Sequence, residues 1–500
     1  MARKTHTFGW YAATGGVMLG TICLALLGST PNAFNRFYDA LKARGYSQSY
    51  VNLVASCGLV SVNLNFIMGA LKDRIGGRLG SLITAALGTL LGSGGYLVMS
   101  FISSTSGGPL LCAAFFLVGL GNGACFIVAM SVAVSLSPTG SGPSVAVVGA
   151  SMGLSVAFTV YAVTVYGDAG GCDDDDHCWA SWMRLMAALC LGLQGLGTGL
   201  LLFYKEENYP HLSGASDAVA LLDGGEKDTI NSDTNDVAIV GETTPIVPSN
   251  ESGGKIGTRG NSPSVVTQHI SFWEALVTLR HPYYLFLFAA EFVGFFSAIF
   301  ILSQASQLWD DFVPHKSSFS KSLGGQILPV FSYFNVVAAL AGGSVNDILN
   351  RKRICRTSTF LGAIYLFWGL AFVVIGLLAV SSGSSPSHAI QLVFFILLTS
   401  DAVLFGVMLV TLPTVLAEEY GHAAFAKIFG LLNLSPAAAS FTAPLITNAI
   451  FRAAGSYHVV FFTLGGLIFL SGIGLIFLRN THPFPYFAST AQRLQQGPSP

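Results

Sequence analysis

Apolar residues in this chain come in long unbroken runs, not in the one-sided stripes or alternations of a soluble protein. A bilayer core takes about 20 apolar residues to span as a helix. Runs of that order recur at 9–30, 50–71, 80–102, 109–136, 143–166 and 182–204. A polar stretch interrupts them, and six more runs follow at 282–308, 323–346, 357–380, 389–416, 424–450 and 457–478. The pattern predicts an all-α polytopic membrane protein with twelve transmembrane helices in two halves, 1–204 and 281–480, joined by a linker at 205–280 and followed by a tail at 481–500. The first run reads as a spanning helix behind a basic tail holding Arg3 and Lys4. It is longer than the apolar part of a cleaved leader, and no small-residue cleavage site follows it.

Composition sharpens the picture. The chain has 500 residues, 52% hydrophobic and only 10% charged, where a soluble chain carries about 25% charged residues. That excludes an ordinary soluble enzyme and a disordered protein. A net charge of −1 leaves no positive excess for neutralising phosphates, so nucleic acid is not an expected partner. The 57 glycines suit helices packed closely in lipid. The eight cysteines show no zinc spacing and no disulfide framework.

Charge sets the expected orientation. With the N-terminus in the cytosol, fourteen of the Lys and Arg residues outside the linker interior fall on the cytosolic side and seven on the other. Both termini are therefore expected inside. The stretch 205–270 holds ten acidic and four basic residues among Gly, Ser, Asn and Thr, too polar to build a core. Asn250 begins a glycosylation sequon that the cytosolic side would leave unmodified. Asp217 with Leu221 and Leu222, and Tyr209 with Leu212, look like sorting signals that adaptors read. They place an endosomal or lysosomal membrane beside the plasma membrane as the expected location.

One motif occurs twice. Gly69, Asp73, Arg74 and Arg78 follow the second run; Gly343, Asp347 and Arg351 follow the eighth. In each copy the Asp stands four residues after the Gly and a basic cluster follows. The Gly lets two helices approach, and the Asp near a helix end can pair with basic groups across its half. Such a cluster can lock one face and break when that face opens. Two copies at matching places speak against a mere positive-inside loop.

This motif resembles the signature loop of the major facilitator superfamily, and the resemblance covers nearly the whole chain outside the linker. Within it the chain looks most like the nodulin-like branch, akin to monocarboxylate transporters. Phe34, Phe37, Leu41, Lys42 and Gly45–Gln48 look like that branch's first outer loop, Ser332–Asn335 before Gly342 and Gly343 like its eighth helix, and Glu418–Gly421 like the turn closing its tenth. The resemblance implies two pseudo-symmetric six-helix bundles around a central cavity, working by alternating access, with helices one, four, seven and ten along the path. Four residues after Asn335 the branch often carries an Arg suited to a carboxylate, but here that position is Ala339. A monocarboxylate substrate is correspondingly less favoured.

Ionisable residues inside a membrane are costly and functional suspects by default. Glu291 lies nine residues into the seventh run and Asp401 twelve into the tenth, about 14–18 Å along a helix and so near mid-depth. No basic residue stands at mid-depth to neutralise them. Desolvation disfavours the charged form, so each either exchanges a proton or meets a cationic group of the solute; the alternative is a structural hydrogen bond. Glu291, among Phe288, Phe292, Phe295 and Phe296, is expected to take the proton, and Asp401, after Thr399 and Ser400, a cationic group. Asn122, Tyr161, Gln304, Gln307 and Asn335 are polar candidates for the same pathway, with Asn433 beside them, though an interhelical hydrogen bond is as good a reading of each.

The outer loop places Cys172 and Cys178 on either side of Asp173, Asp174, Asp175, Asp176 and His177. A disulfide fits an oxidising compartment, and the acidic run offers ligands for a metal ion, a field that gathers cations, or simply a solvated turn. The expected function is secondary transport of a small organic solute across a lipid bilayer, driven as symport by an inward proton gradient. A cation- or metal-linked carrier and a non-transporting sensor of the same fold are the alternatives. No nucleophile elbow, phosphate loop or His-rich cluster points to an enzyme, and no cofactor is expected.

Overall fold

A chain this apolar has one economical way to cross hydrocarbon, because a helix satisfies its backbone hydrogen bonds within itself. The computed structural model describes residues 2–31, 37, 40–41, 44–102, 108–136, 142–169, 175–204, 280–313, 317–381, 386–420 and 425–477. All of them belong to one compact unit. The linker residues 205–279 and the chain after 477 lie outside the described residues, as do the sorting motifs and the sequon.

Helix α1 is Ala2–Ala25. Helix α2 comes in two pieces, Gln48–Asn63 and Asn65–Ile75, with Leu64 between them. Helices α3, α4 and α5 are Gly77–Ser100, Gly108–Leu136 and Gly142–Ala169. Helix α6 opens as Asp175–Leu189, passes through a π-helical turn at Cys190–Gln194 and closes as Gly195–Leu200. In the second half α7 is Pro282–Phe312, α8 Ser318–Arg351, α9 Thr357–Ser381 and α10 His388–Tyr420. Helix α11 is again broken, Phe425–Leu432 and Leu434–Ala454 about Asn433, and α12 is His458–Phe477.

Among the described residues eleven helices are long and apolar enough to cross a membrane, and α1 adds a shorter apolar segment, Thr14–Ala25. The ends follow local chemistry. Ser47 and Ser317 cap α2 and α8 by accepting the Tyr50 and Ser320 amides. Pro282 opens α7, where its missing N–H costs nothing, and Gly455 ends α11 in a left-handed conformation.

The duplicated motif sits differently from the sequence expectation. Gly69, Asp73 and Arg74 lie in the last turns of α2, and Gly343, Asp347 and Arg351 in those of α8. The Asp347–Arg351 spacing is the reason, since residues four apart share a helix face. Only Gly76 separates α2 from α3, and its φ of +78° makes the reversal that a side chain would resist.

Each half closes on small residues. The broadest contact joins α9 and α12, followed by α3 with α4 and α8 with α10. Across the halves α5 packs on α8 and α10, and α2 on both pieces of α11. At the α9–α12 contact backbone meets backbone. A Cβ on Gly369 would stand 2.8 Å from the Gly465 carbonyl oxygen, and one on Gly465 2.9 Å from that of Gly369. Gly466, next in the chain, faces open space. Gly369→Leu or Gly465→Leu is therefore expected to cost about 1–3 kcal/mol through overpacking, with Gly466→Leu near neutral. Thermal midpoints of the three purified variants check this, and equal midpoints would refute the close approach.

Candidate functional site

The two halves line a small, partly open cavity between them. From the first half, Val62, Asn63 and Asn65 line it at the break in α2, with Phe126 of α4 and Met152 of α5. From the second, Glu291 and Phe295 of α7 face it, with Met408, Leu409, Leu412 and Pro413 of α10. Phe429 and Asn433, at the break in α11, complete the wall.

The breaks have local causes. Pro436 has no N–H for the Leu432 carbonyl, so α11 loosens one turn before it. Asn433 donates both its backbone and its side-chain amide to the Phe429 carbonyl, each at 3.0 Å. In α2 no proline is involved. Asn63 donates its side-chain amide to the Leu59 carbonyl at 2.9 Å, and the Leu64 amide falls back on Ser61. Helix α10 carries Pro413 inside the cavity wall, so the Leu409 carbonyl has no N–H returned to it four residues on.

Glu291 is the one charged side chain among the lining residues, and it is 1% exposed. Its Oε2 has no hydrogen-bond partner. The Tyr284 and Tyr365 phenols lie within electrostatic reach of it, but both hydroxyls donate elsewhere, to the Ile428 and Ala290 carbonyls.

Asp401 is equally buried, and neither of its oxygens has a hydrogen-bond partner, yet it is not among the lining residues. It shares a face of α10 with Phe405 and Met408, four and seven residues on. The Phe405 ring meets Phe295 edge-on at 5.1 Å, and the Met408 sulfur accepts from Tyr365 at 2.9 Å. Asp401 thus sits on the face that α10 turns to α7 and α9 within the second half.

The polar candidates divide among other places. Asn122 is fully buried in a network that joins four helical segments. It donates to Thr30 at 2.7 Å, accepts from Gln194 at 2.9 Å, and Tyr96 also donates to Thr30 at 2.8 Å. The π-helical turn of α6 is what aims Gln194 at it, a shift that a regular helix would not give. Asn335 packs between Gly153 of α5 and Gly406 of α10. Gln304 donates to Thr447 at 2.8 Å, and Gln307 accepts from Tyr457 at 3.1 Å. Tyr161 is 68% exposed on the outer surface of α5. Past the spanning part of α7, burial raises the Asp311 carboxyl above its usual range against the Tyr457 amide and His458, and burial with that carboxylate pushes the Tyr457 phenol up to about 12.

At the end that holds the duplicated motif, Asp347 pairs with Arg351 at 2.9 Å. Glu418 of α10 accepts from Asn350 of α8 and from Thr357, the first residue of α9, each at 2.9 Å. Lys72 lies 3.6 Å from Asp73, and Arg78 begins α3. Gly69 faces α11 of the other half, where its Cβ would stand 2.8 Å from the Ala426 carbonyl oxygen. Lys427, next in the chain, is buried. Site reasoning from sequence missed Glu418 and Lys427; a carboxylate and an ammonium at the ends of apolar runs read as edge charges until their neighbours are known. In the outer loop Cys178 is disulfide-bonded. Cys172, Asp173 and Asp174 lie outside the described residues, and the side chains of Asp175, Asp176 and His177 are not described.

The family model described as Major Facilitator Superfamily matches residues 17–365. No curated protein matches the chain. Among solved structures the chain is similar to the proton:xylose symporter XylE bound to 6-bromo-6-deoxy-D-glucose, at 15% identity and a TM-score of 0.58, covering 93% of this chain and 95% of that one. It is also similar to the major facilitator transporter FucP in the outward conformation, at 12% identity and 0.53, covering 92% and 97%. The N162A form of the E. coli fucose:proton symporter FucP gives 13% and 0.51, covering 92% and 98%.

Removing Asn122 strands the Gln194 amide and takes a donor from Thr30. Asn122→Ala is expected to lower stability by about 1–3 kcal/mol without changing solute affinity, since it touches no cavity wall. A melting curve and a binding isotherm on the same preparation separate the two. A change in affinity alone would return Asn122 to the solute path.

Proposed function

The chain belongs to the major facilitator superfamily of secondary transporters, and from that premise we propose that it moves a small organic solute through the cavity between its halves, coupled to a proton carried by Glu291. The observation that carries this reading is a wholly buried carboxyl, unpaired with any cation, in the wall of a cavity that both halves build. A group in that setting binds and releases a proton more readily than it holds a bare charge. The similar structures described as proton symporters are in keeping with it. The nodulin-like branch remains the closest reading of the sequence motifs, with termini in the cytosol and the linker available to sorting adaptors at the plasma or endosomal membrane.

Alternating access needs a contact that holds one face shut and can be undone. The Gly69–Ala426 approach brings Asp73, one turn further along α2, and Lys427 to the same inter-half contact. We assign that pair to the lock. In the second half Glu418, by accepting from Asn350 and Thr357, ties α8, α9 and α10 together, while the Asp347–Arg351 pair lies within α8.

In proteoliposomes carrying a mixed solute panel, a proton gradient is expected to change the rate at which some solute moves. Glu291→Gln should remove that response and Glu291→Asp keep it. A response to pH that survives Glu291→Gln would place the proton elsewhere. For the lock, Asp73→Lys is expected to unbalance the two faces by about 1–3 kcal/mol, and adding Lys427→Asp to restore transport in part. Normal transport in Asp73→Lys would reduce the motif to a topological signal.

A further inference from the structure

The cavity wall is uneven in what it offers a guest. Asn63 and Asn433 each give one amide N–H to the Leu59 and Phe429 carbonyls, which leaves a second N–H and the side-chain oxygen of each. The Leu409 carbonyl is an acceptor that Pro413 does not serve. Glu291 adds a carboxyl, and no Lys, Arg or His is among the lining residues. Around these acceptors stand the rings of Phe126, Phe295 and Phe429 and the thioethers of Met152 and Met408.

Such a wall discriminates by charge. An anion meets a carboxyl and no counter-charge. A neutral polyol can hydrogen-bond to the asparagines but leaves an ionised Glu291 without a counter-charge. An ammonium brings only donors or bare positive charge. It suits a carboxylate and carbonyl oxygens, and aromatic faces attract it by their quadrupoles. Resting on the transporter reading above, we infer that the solute is a small organic cation, and that it and a proton take turns on Glu291, so that the carrier exchanges one for the other.

The exchange balances simply. The cation enters, the Glu291 O–H bond gives up its proton to the aqueous mouth, and the carboxylate keeps the electron pair and holds the cation. On release a proton returns. The empty, ionised cavity is the state burial disfavours most, which ties the two events together. The titratable groups around Glu291 are few. Tyr284 on its own helix and Tyr365 of α9 are within electrostatic reach, and both hydroxyls are engaged with carbonyls. Helices α2, α4 and α5 face it with no titratable side chain among the lining residues. On α10, Asp401 is absent from the lining. On α11, Lys427 lies two residues before Phe429 and six before Asn433, at the Gly69 contact, and is also absent from the lining.

The test uses the purified full chain in detergent with radiolabelled tetraethylammonium and a primary alkylamine of similar size, beside the neutral alcohol. Both cations are expected to bind saturably and the alcohol not. Their apparent Kd should rise as pH falls, by up to about tenfold per unit, as one-for-one competition requires. In weakly buffered solution each bound cation should release up to about one proton. Glu291→Gln should lose both binding and proton release, while Glu291→Asp, which keeps the charge, retains pH-dependent binding and so shows that the loss is not misfolding. Equal, pH-independent binding by Glu291→Gln overturns the shared site. Failure of both cations to bind overturns the solute class. If panel uptake then still depends on Glu291, the transporter reading stands without it. Cation binding with proton release in a protein that moves no solute supports the site and sinks the transport reading instead.

Discussion

A backbone N–H or C=O left without a partner in hydrocarbon costs several kcal/mol, and every departure from helix in this chain answers to that cost. Long stretches meet it by staying helical. The helix breaks at Leu64 and Asn433 and the proline at Pro413 are grouped. Asn63, Asn65, Asn433 and Pro413 all line the cavity between the halves. Irregular backbone at membrane depth is tolerated where it faces a polar space. Asn63 and Asn433 hold the turns before the breaks with their side-chain amides, which bond to the Leu59 and Phe429 carbonyls. The cavity exists where the helices are weakest as helices, and the same breaks supply its polar groups.

The tight contacts sit away from that space. Gly369 against Gly465, and Gly121 against Gly92, bring backbones together inside each half, where no side chain could fit. Helices joined in this way resist sliding, so a half behaves as a body. Contact between the halves mixes two kinds. Near the duplicated motif backbone meets backbone, Gly69 against Ala426 and Gly430 against Phe66. Elsewhere side chains meet: the Phe126 and Phe429 ring centroids are 6.5 Å apart, and Gly149 faces Val410. Rings and aliphatic groups can part and meet again more easily than interlocked backbone, so the close approach at Gly69 and Gly430 is where the seam is tightest.

Much of this was legible beforehand. The apolar runs gave the helices within a few residues, and the repeated Gly–Asp–basic motif marked equivalent places in the halves. Glu291 was legible because depth alone singled it out. Asp401 looked the same by depth, yet Glu291 is among the cavity-lining residues and Asp401 is not, although Met408, two turns on along the same face of α10, is. Which stretch of a helix borders the space depends on the neighbours packed against it, and a residue count from the membrane edge does not carry that information. Asn122 invited a role in the path because glycines flank it, yet Gly121 makes room for α3 and Gly119 and Gly123 for α2, and its hydrogen bonds close on Thr30 and Gln194. The π-helical turn that brings Gln194 there has no sequence mark, since it depends on packing against helices distant in the chain.

The halves share a topology and differ in electrostatics. Four buried polar groups of the first half, Thr30, Tyr96, Asn122 and Gln194, are neutral and hydrogen-bond to one another. The carboxyls buried at mid-depth among the described residues, Glu291 and Asp401, both belong to the second half, and Glu291 is the one among the cavity-lining residues. On the proposed reading, a charge that changes in the cavity changes on the second half's wall. A neutral wall presents the same surface whether the opposite carboxyl is ionised, protonated or paired. Had the lining acids been divided between the walls, each protonation would have altered the attraction across the seam from both sides. With Glu291 as the one carboxyl in the lining, that attraction depends on the state of a single group.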